Sequence, residues 1–248
     1  MYAEDEATLL EAETSDPDEL AQMLARRVAG DPLEQVLGWA EFCGLRIRVV
    51  PGVFVPRRRT EALAELAVRL GQKVDHPLVV DLCCGTGAIG VAVAEALPTV
   101  ELHAADLDPV AVVCARLNVT MGDVHEGDLY DALPATLRGR VDLLLVNAPY
   151  VPSDEVRLMP PEARLHERHV ALDGGADGLD LHRRTAAGAG EWLSPGGSLL
   201  IETSPHQAAD TARYCLESGL EVQVFGSDPV RVVRAISSGS GSSGRMTG

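Results

Sequence analysis

Short apolar runs alternate with stretches of helical composition through the middle of the chain. We predict strands that begin near residues 78, 100, 123, 141 and 197, because each is an apolar run bounded by turn residues. Helical stretches lie between them, for example residues 88–97 and 179–193. Strands that alternate with helices form a parallel sheet through right-handed crossovers. The pattern therefore predicts an α/β fold.

The C-terminal part of the chain changes this alternation. Two runs of strand composition, residues 220–225 and 231–236, flank the turn sequence G-S-D-P. We expect a hairpin there, which makes the last strand antiparallel. Together with the strands before it, this gives a Rossmann-like sheet of seven mostly parallel strands.

The sequence pattern of the N-terminal part predicts shorter elements. Asp16 and Pro17 are suited to be the N-cap and first residue of a helix that runs to about residue 29. Residues 39–50 have the pattern of a β-hairpin that turns near Gly44, and residues 60–70 form an amphipathic helix.

These elements divide the chain into four expected segments. Residues 1–30 form a short helical segment, residues 31–70 a connecting hairpin and helix, and residues 71–236 the α/β domain. Residues 237–248 are rich in Ser and Gly and should be a disordered tail.

Composition narrows the class of protein. The 248 residues are 46% hydrophobic, which is enough for one sizeable core. No apolar run reaches 18 residues and no signal peptide pattern is present, so we expect a cytoplasmic protein without a membrane partner. Metal binding is not expected, because His166 and His169 have no third cluster and the cysteines lack metal-ligand spacing. The five cysteines should be reduced thiols: Cys43, Cys83, Cys84, Cys114 and Cys215.

The charge is strongly acidic. There are 21 Lys and Arg residues against 37 Asp and Glu, a formal net charge of −16. Binding to a duplex or structured RNA requires phosphate neutralisation, so no stable nucleic-acid partner is expected. Arg57, Arg58 and Arg59 are the only concentrated cationic run. They suit either a solvated loop that closes onto acidic surface or a grip on a protein partner.

A glycine-rich loop follows the first predicted strand of the sheet. The sequence V-V-D-L-C-C-G-T-G-A-I-G (79–90) places Gly85, Gly87 and Gly90 on a strand-to-helix turn, where a ligand can approach the backbone closely. The spacing alone suggests a dinucleotide site. Asp81 at the strand end would repel a pyrophosphate but can face the amino-acid end of S-adenosylmethionine. Asp106, at the end of the next strand, has the position of a carboxylate that binds ribose hydroxyls.

A second polar strand end is L-L-L-V-N-A-P-Y-V (143–151). Asn147 supplies a side-chain carbonyl, the Ala148 backbone a second acceptor, and Tyr150 a face for a planar group. These groups suit methylation of a planar amino group, whose N–H bonds must be oriented and polarised. An isolated N-x-P-Y is more often an ordinary Pro turn, but the upstream glycine loop favours the functional interpretation. The site should lie at the carboxyl ends of the first and fourth strands of the sheet.

From about residue 31 to 236 the chain resembles the PrmC/HemK family of protein-(glutamine-N5) methyltransferases. The resemblance rests on several ordered motifs: P-L-E-Q-V-L-G (32–38), F-V-P-R-R-R-T-E-A-L (54–63), the glycine loop, G-D-L-Y (127–130), N-A-P-Y (147–150) and E-R-H-V-A-L-D-G-G-A-D-G-L-D-L-H-R-R (167–184). Ala148 replaces the first Pro of the family's N-P-P-Y, and the N-terminal helical segment is about half the usual length.

The resemblance implies a class I S-adenosylmethionine-dependent methyltransferase that modifies the glutamine of the Gly-Gly-Gln tripeptide in peptide-chain release factors. The catalytic residues are then Asn147, Pro149 and Tyr150. Substrate contacts are expected from these three with Ala148 and Glu167. For Glu167, a substrate-facing or loop-bracing role and a plain salt bridge or cap are equally good interpretations. The expected cofactor contacts are Asp81, Cys83, Gly85, Thr86, Gly87, Gly90, Asp106, Leu107, Asp128, Leu129 and Asn147.

The implied reaction is direct in-line transfer, because the sulfonium already activates the methyl group. Two other functions remain open: methylation of an adenine or guanine amine, and cofactor binding without turnover by an interaction protein. Fold alone does not separate these three.

Overall fold

A computed structural model describes residues 3–226 and 228–238. In these ranges the α-helices are α1 (Ala3–Glu13), α2 (Pro17–Val28), α3 (Leu33–Leu37), α4 (Glu61–Gly71), α5 (Ala88–Ala96), α6 (Pro109–Asn118), α7 (Pro161–His166), α8 (Asp180–Trp192) and α9 (Ala208–Glu217). The strands are β1 (Trp39–Phe42), β2 (Leu45–Arg48), β3 (Leu78–Leu82), β4 (Glu101–Asp106), β5 (Asp123–Glu126), β6 (Val141–Val146), β7 (Leu193–Thr203), β8 (Glu221–Phe225) and β9 (Arg231–Ile236).

The main sheet has seven strands in the order β5-β4-β3-β6-β7-β9-β8. In this spatial order, each neighbouring pair from β5 through β4, β3 and β6 to β7 is parallel, and β9 is antiparallel to both of its neighbours. The predicted α/β class, seven-stranded sheet and antiparallel last strand are confirmed. The chain runs from β3 outward to β5 and then returns to the other side of β3 as β6. This reversal opens a crevice at the carboxyl ends of β3 and β6, where ligands bind in folds of this kind.

Helices cover both faces of the sheet. Apolar residues of α4 and α5 pack on one face and those of α8 on the other, and the strands between them are buried on both sides. Trp192 at the end of α8 is 2% exposed and stacks on Tyr130 with ring centroids 5.6 Å apart. Because both faces are covered, the central strands read as continuous apolar runs such as L-L-L-V in β6.

The N-terminal helices form a small separate cluster around Leu10, Met23 and Leu33. The predicted cap is confirmed, since the Asp16 side chain accepts a hydrogen bond from the backbone N–H of Asp18 with Pro17 at the start of α2. The hairpin of β1 and β2 turns at Cys43 and Gly44, both of which have positive φ.

Past β9 the pairing continues for one residue, because Ser237 exchanges two backbone hydrogen bonds with Gly196 and Gly197. The rest of the predicted Ser/Gly tail, residues 239–248, lies outside the described residues. In the described part of the chain, none of the helices is long and apolar enough to cross a membrane.

Candidate active site

The glycine loop joins β3 to α5 through three left-handed residues. Cys83, Gly85 and Gly87 have φ of 55°, 56° and 78°. A Cβ on Gly87 would lie 3.0 Å from the Val119 side chain, whereas one on Gly85 would meet nothing within 4 Å. Gly87 is therefore needed for close packing as well as for backbone conformation, and Gly85 leaves open space at the loop.

Asp81 lies beneath this loop. Its side chain is fully buried, and Oδ2 accepts a hydrogen bond of 2.8 Å from the backbone N–H of Gly90. Oδ1 has no hydrogen-bond partner among the described residues. Burial raises the pKa of Asp81 to about 7. The predicted role of ordering the loop agrees with these contacts, but Asp81 does not line the cavity above.

Asp106 ends β4 and faces the cavity. Its two carboxylate oxygens accept hydrogen bonds from the backbone N–H groups of Gly85 (2.8 Å) and Asp108 (2.9 Å). Burial raises the pKa of this carboxyl, and the two N–H donors oppose that rise. The neighbouring Asp108 pairs with Arg168 at 3.0 Å, which ties the segment after α7 to this side of the cavity.

The N-A-P-Y segment begins directly after β6. The Asn147 amide nitrogen Nδ2 lies 3.4 Å from Thr60 Oγ1 and donates to it. Ala148 is buried in the core, and Pro149 and Tyr150 are half-buried. The Tyr150 hydroxyl lies 3.4 Å from the Arg59 guanidinium. Burial raises the pKa of Tyr150.

The backbone of Pro149 and Tyr150 is supported by the turn before α8 and by Gln207, which precedes α9. The Tyr150 carbonyl accepts a 2.9 Å hydrogen bond from Gln207 Nε2. A Cβ on Gly178 would lie 2.3 Å from that carbonyl, and one on Gly174 would lie 2.7 Å from the Pro149 carbonyl. The turn residues of this segment thus let it pack against the N-A-P-Y loop, a role that the turn pattern alone does not reveal.

One cavity brings the two strand ends together. Most of the predicted site residues line it: Cys83, Gly85, Thr86, Asp106, Leu107, Asp128, Leu129, Asn147, Ala148, Pro149 and Tyr150. Four predicted residues do not: Asp81, Gly87, Gly90 and Glu167. Sequence reasoning missed Phe54, Arg59 and Thr60, which also line the cavity. The signal available for them was the F-V-P-R-R-R-T-E segment (54–61).

Glu167 braces a loop and does not line the cavity. Its side chain is fully buried, accepts a hydrogen bond from the Val55 backbone N–H and pairs with Arg57. Burial raises the pKa of Glu167 despite this cation. The sequence left a substrate-facing or loop-bracing role and a salt bridge or cap as equal interpretations, and these contacts match loop bracing through a salt bridge.

The three consecutive arginines have different surroundings. Arg57 pairs with Glu167, and Arg59 approaches the buried Glu202 at 3.9 Å; both line the cavity. The Arg58 side chain is 79% exposed. His166 and His169 face separate carboxylates, His166 that of Asp31 and His169 that of Asp173. In the described ranges no group of three or more acidic, His or Cys side chains is arranged to hold a metal ion.

Comparison with known proteins places this geometry in a family. Residues 44–167 match the model of the methyltransferase small domain. A release factor glutamine methyltransferase from Streptomyces coelicolor is 40% identical over 190 residues, which cover 75% of this chain and 67% of that protein. A 4-amino-L-phenylalanine/4-methylamino-L-phenylalanine methyltransferase from Streptomyces pristinaespiralis is 36% identical over 200 residues, or 78% and 68% of the two chains.

Among solved structures, the Thermus thermophilus 16S rRNA N2 G1207 methyltransferase in complex with AdoMet and guanosine has a TM-score of 0.59 at 21% identity. The match covers 80% of this chain and 49% of that one, and it supports the methyltransferase fold. Further relatives at 35–40% identity are also release factor glutamine methyltransferases. The cavity between a polar strand end and a glycine loop agrees with these relatives. The chain belongs to the family of release factor glutamine methyltransferases.

Proposed function

We propose that this enzyme methylates the side-chain nitrogen of a glutamine in a protein, and that this protein is a peptide-chain release factor with its Gly-Gly-Gln glutamine. The observation that carries the proposal is that the glycine loop and the N-A-P-Y strand end line the same cavity. The names of the relatives support it further, because most of those at 35–40% identity act on release factors.

The residues at the glycine loop fit S-adenosylmethionine. Gly85 has no side chain where the loop meets the cavity, and Asp106 presents a carboxylate beside it. Asp106 would hold the ribose hydroxyls, the backbone of Cys83–Gly85 the amino-acid end, and Leu107, Asp128 and Leu129 the adenine side. Asp128 is already oriented by a 2.7 Å pair with Arg184. When bound, the cofactor supplies an activated methyl group and leaves as S-adenosylhomocysteine.

The N-A-P-Y loop would hold the acceptor. The Asn147 side-chain carbonyl and the Ala148 backbone carbonyl accept hydrogen bonds from the two amide N–H bonds of the glutamine, and Tyr150 and Pro149 flank its plane. These acceptors stabilise N–H bonds that become more acidic as the nitrogen is alkylated, so their hydrogen bonds strengthen in the transition state. The proton leaves to solvent after transfer, so the loop needs no base of its own.

A direct test is to incubate the protein with radiolabelled cofactor and a full-length release factor, and then to map the modified residue by mass spectrometry. A release factor with Asn in place of the Gly-Gly-Gln glutamine serves as the substrate control. Parallel incubations contain 4-amino-L-phenylalanine, after the Streptomyces pristinaespiralis relative, and ribosomal RNA. Label on the Gly-Gly-Gln glutamine supports the proposal, and faster labelling of the free amino acid or the RNA contradicts it.

The Asn147→Ala variant is the matched enzyme control. We expect it to lose turnover by about 10²- to 10³-fold, the scale for one preorganised polar partner in a transition state. Its affinity for the cofactor, measured by calorimetry, should change far less. An Asn147→Ala enzyme with full single-turnover rate would mean that the loop is only a turn.

A further inference from the structure

Two buried side chains outside the proposed contacts connect to Asn147. Thr60, which precedes α4, is 2% exposed, and Glu202 on β7 is 1% exposed. The Thr60 hydroxyl, as a donor toward the Glu202 carboxylate, opposes the rise that burial causes in the pKa of that carboxyl. It also accepts a 3.4 Å hydrogen bond from Asn147 Nδ2. The three residues come from different elements, and the Thr60 hydroxyl connects the other two.

The contacts of the Thr60 hydroxyl have a fixed donor and acceptor direction. A threonine hydroxyl carries one proton and accepts through its lone pairs, whereas an ionised carboxylate only accepts. Since the Thr60 proton goes to Glu202, only lone pairs remain toward Asn147, and the group that meets them must be a donor. The Asn147 NH2 therefore faces Thr60, which leaves the Asn147 carbonyl oxygen available on the other side of the amide.

The burial of the Glu202 carboxylate costs folding free energy. Burial raises its pKa, and Oε2 has no hydrogen-bond partner among the described residues. The nearest cation, Arg59, lies 3.9 Å from Oε1, with the Tyr150 hydroxyl beside that guanidinium. A buried and incompletely paired carboxylate seldom adds stability. Its contact with Thr60 instead orients the Thr60 hydroxyl.

We propose that Thr60 and Glu202 are positioning residues, which fix the Asn147 amide with its carbonyl oxygen toward the substrate. This inference rests on the proposed function, because it matters only if that oxygen accepts from the substrate amide. Without the two residues the Asn147 amide can adopt both flipped orientations. One of them presents an NH2 group to the N–H bonds of the substrate.

The kinetic test compares Thr60→Val with Thr60→Ser. Valine has nearly the shape of threonine but no hydroxyl, and serine keeps the hydroxyl. We expect kcat on the release factor to fall about tenfold in Thr60→Val, with cofactor affinity unchanged, and to stay near the original value in Thr60→Ser. Thr185→Val is the control, because the Thr185 hydroxyl is also buried but lacks a hydrogen-bond partner among the described residues. Equal turnover in Thr60→Val and Thr60→Ser would overturn the proposal.

A second variant tests Glu202 itself. Glutamine at this position can donate or accept, so Glu202→Gln should no longer impose a direction on Thr60 and should lower kcat several-fold. Full turnover in Glu202→Gln would remove Glu202 from the proposal.

A measurement without substrate separates this inference from the proposed function. The side-chain amide signal of Asn147 in ¹⁵N NMR is identified by its absence in Asn147→Ala. We expect one of its protons to exchange slowly in the original protein and in Thr60→Ser, and rapidly in Thr60→Val. If the original protein does not methylate a release factor, the proposed function fails, while this signal still decides the orientation of Asn147. An Asn147 signal that Thr60→Val leaves unchanged would overturn the inference.

Discussion

At the residue scale, Asp106 is the side chain on which cofactor affinity should depend most. Loss of a carboxylate acceptor for two hydroxyls in a partly buried pocket costs about 2 to 4 kcal/mol, the range for charge-assisted hydrogen bonds. We therefore predict that Asp106→Ala raises the Kd for the cofactor by roughly 30- to 1000-fold in calorimetry. Asp123→Ala is the control, since Asp123 is an exposed carboxylate on the neighbouring strand. Equal affinity in Asp106→Ala and the control would exclude Asp106 from the ribose role.

Asp81 gives a prediction about pH and stability. Its pKa is raised by burial to about 7 in the folded protein, from about 3.8 in the unfolded chain, so the folded state favours the protonated form. The stability that comes from protonated Asp81 is complete below about pH 4 and is lost as the pH rises through 7. Asn resembles the protonated form and does not titrate.

We therefore predict that Asp81→Asn increases the free energy of unfolding in the absence of cofactor, and does so more at pH 8 than at pH 5. Urea unfolding at both values measures the difference. The exposed Asp154→Asn is the matched control. A difference that stays constant between the two pH values would show that Asp81 does not titrate in this range.

At the element scale, the turn before α8 decides where the N-A-P-Y loop lies. Gly178 has φ of +76°, and an added Cβ would lie 2.3 Å from the Tyr150 backbone carbonyl. Left-handed conformation alone costs a non-Gly residue about 1 to 2 kcal/mol, and backbone must also move. We predict that Gly178→Ala lowers the thermal midpoint and reduces turnover per folded molecule, because the displaced carbonyl carries Tyr150 with it.

Gly190 offers the matched comparison in the helix that follows this turn. It lies inside α8, and an added Cβ would meet nothing within 4 Å. Ala is a better helix former than Gly by about 1 kcal/mol, so Gly190→Ala should raise the thermal midpoint and leave turnover unchanged. If Gly178→Ala behaved like Gly190→Ala in both measurements, the turn would not support the loop.

At the scale of the whole molecule, charge determines how the rate responds to salt. With a net charge of −16, an enzyme that acts on protein should change its rate only weakly between about 50 and 200 mM salt. An enzyme that neutralises 6 to 10 phosphates would lose about 10³- to 10⁵-fold in affinity over that range. We predict the weak response for kcat/KM on a release factor. A steep log-linear loss would favour a nucleic-acid substrate.

The N-terminal helices belong to this same scale, because they contact residues that are distant in the chain. Arg27 of α2 pairs with Glu6 of α1 at 2.6 Å and with Glu162 of α7 at 2.7 Å. Gln35 donates to the backbone carbonyls of Val53 and His166. The N-terminal helices are thus attached to α7 through Arg27 and to the backbone at Val53 and His166 through Gln35.

The sequence alone determined the elements and the two strand ends that carry chemistry. Apolar periodicity, caps and turn residues act between neighbours in the chain, so β3 with its glycine loop, β6 with N-A-P-Y, and the antiparallel β9 were predictable from local pattern. The tertiary structure decided which distant side chains meet. Thr60 reaches Asn147 across 87 positions, and Glu202 approaches Thr60 from β7, the neighbour of β6 in the sheet. It also placed Glu167 in a salt bridge and Asp81 beneath the loop, since burial and partner choice depend on strand register and helix packing, which no local pattern encodes.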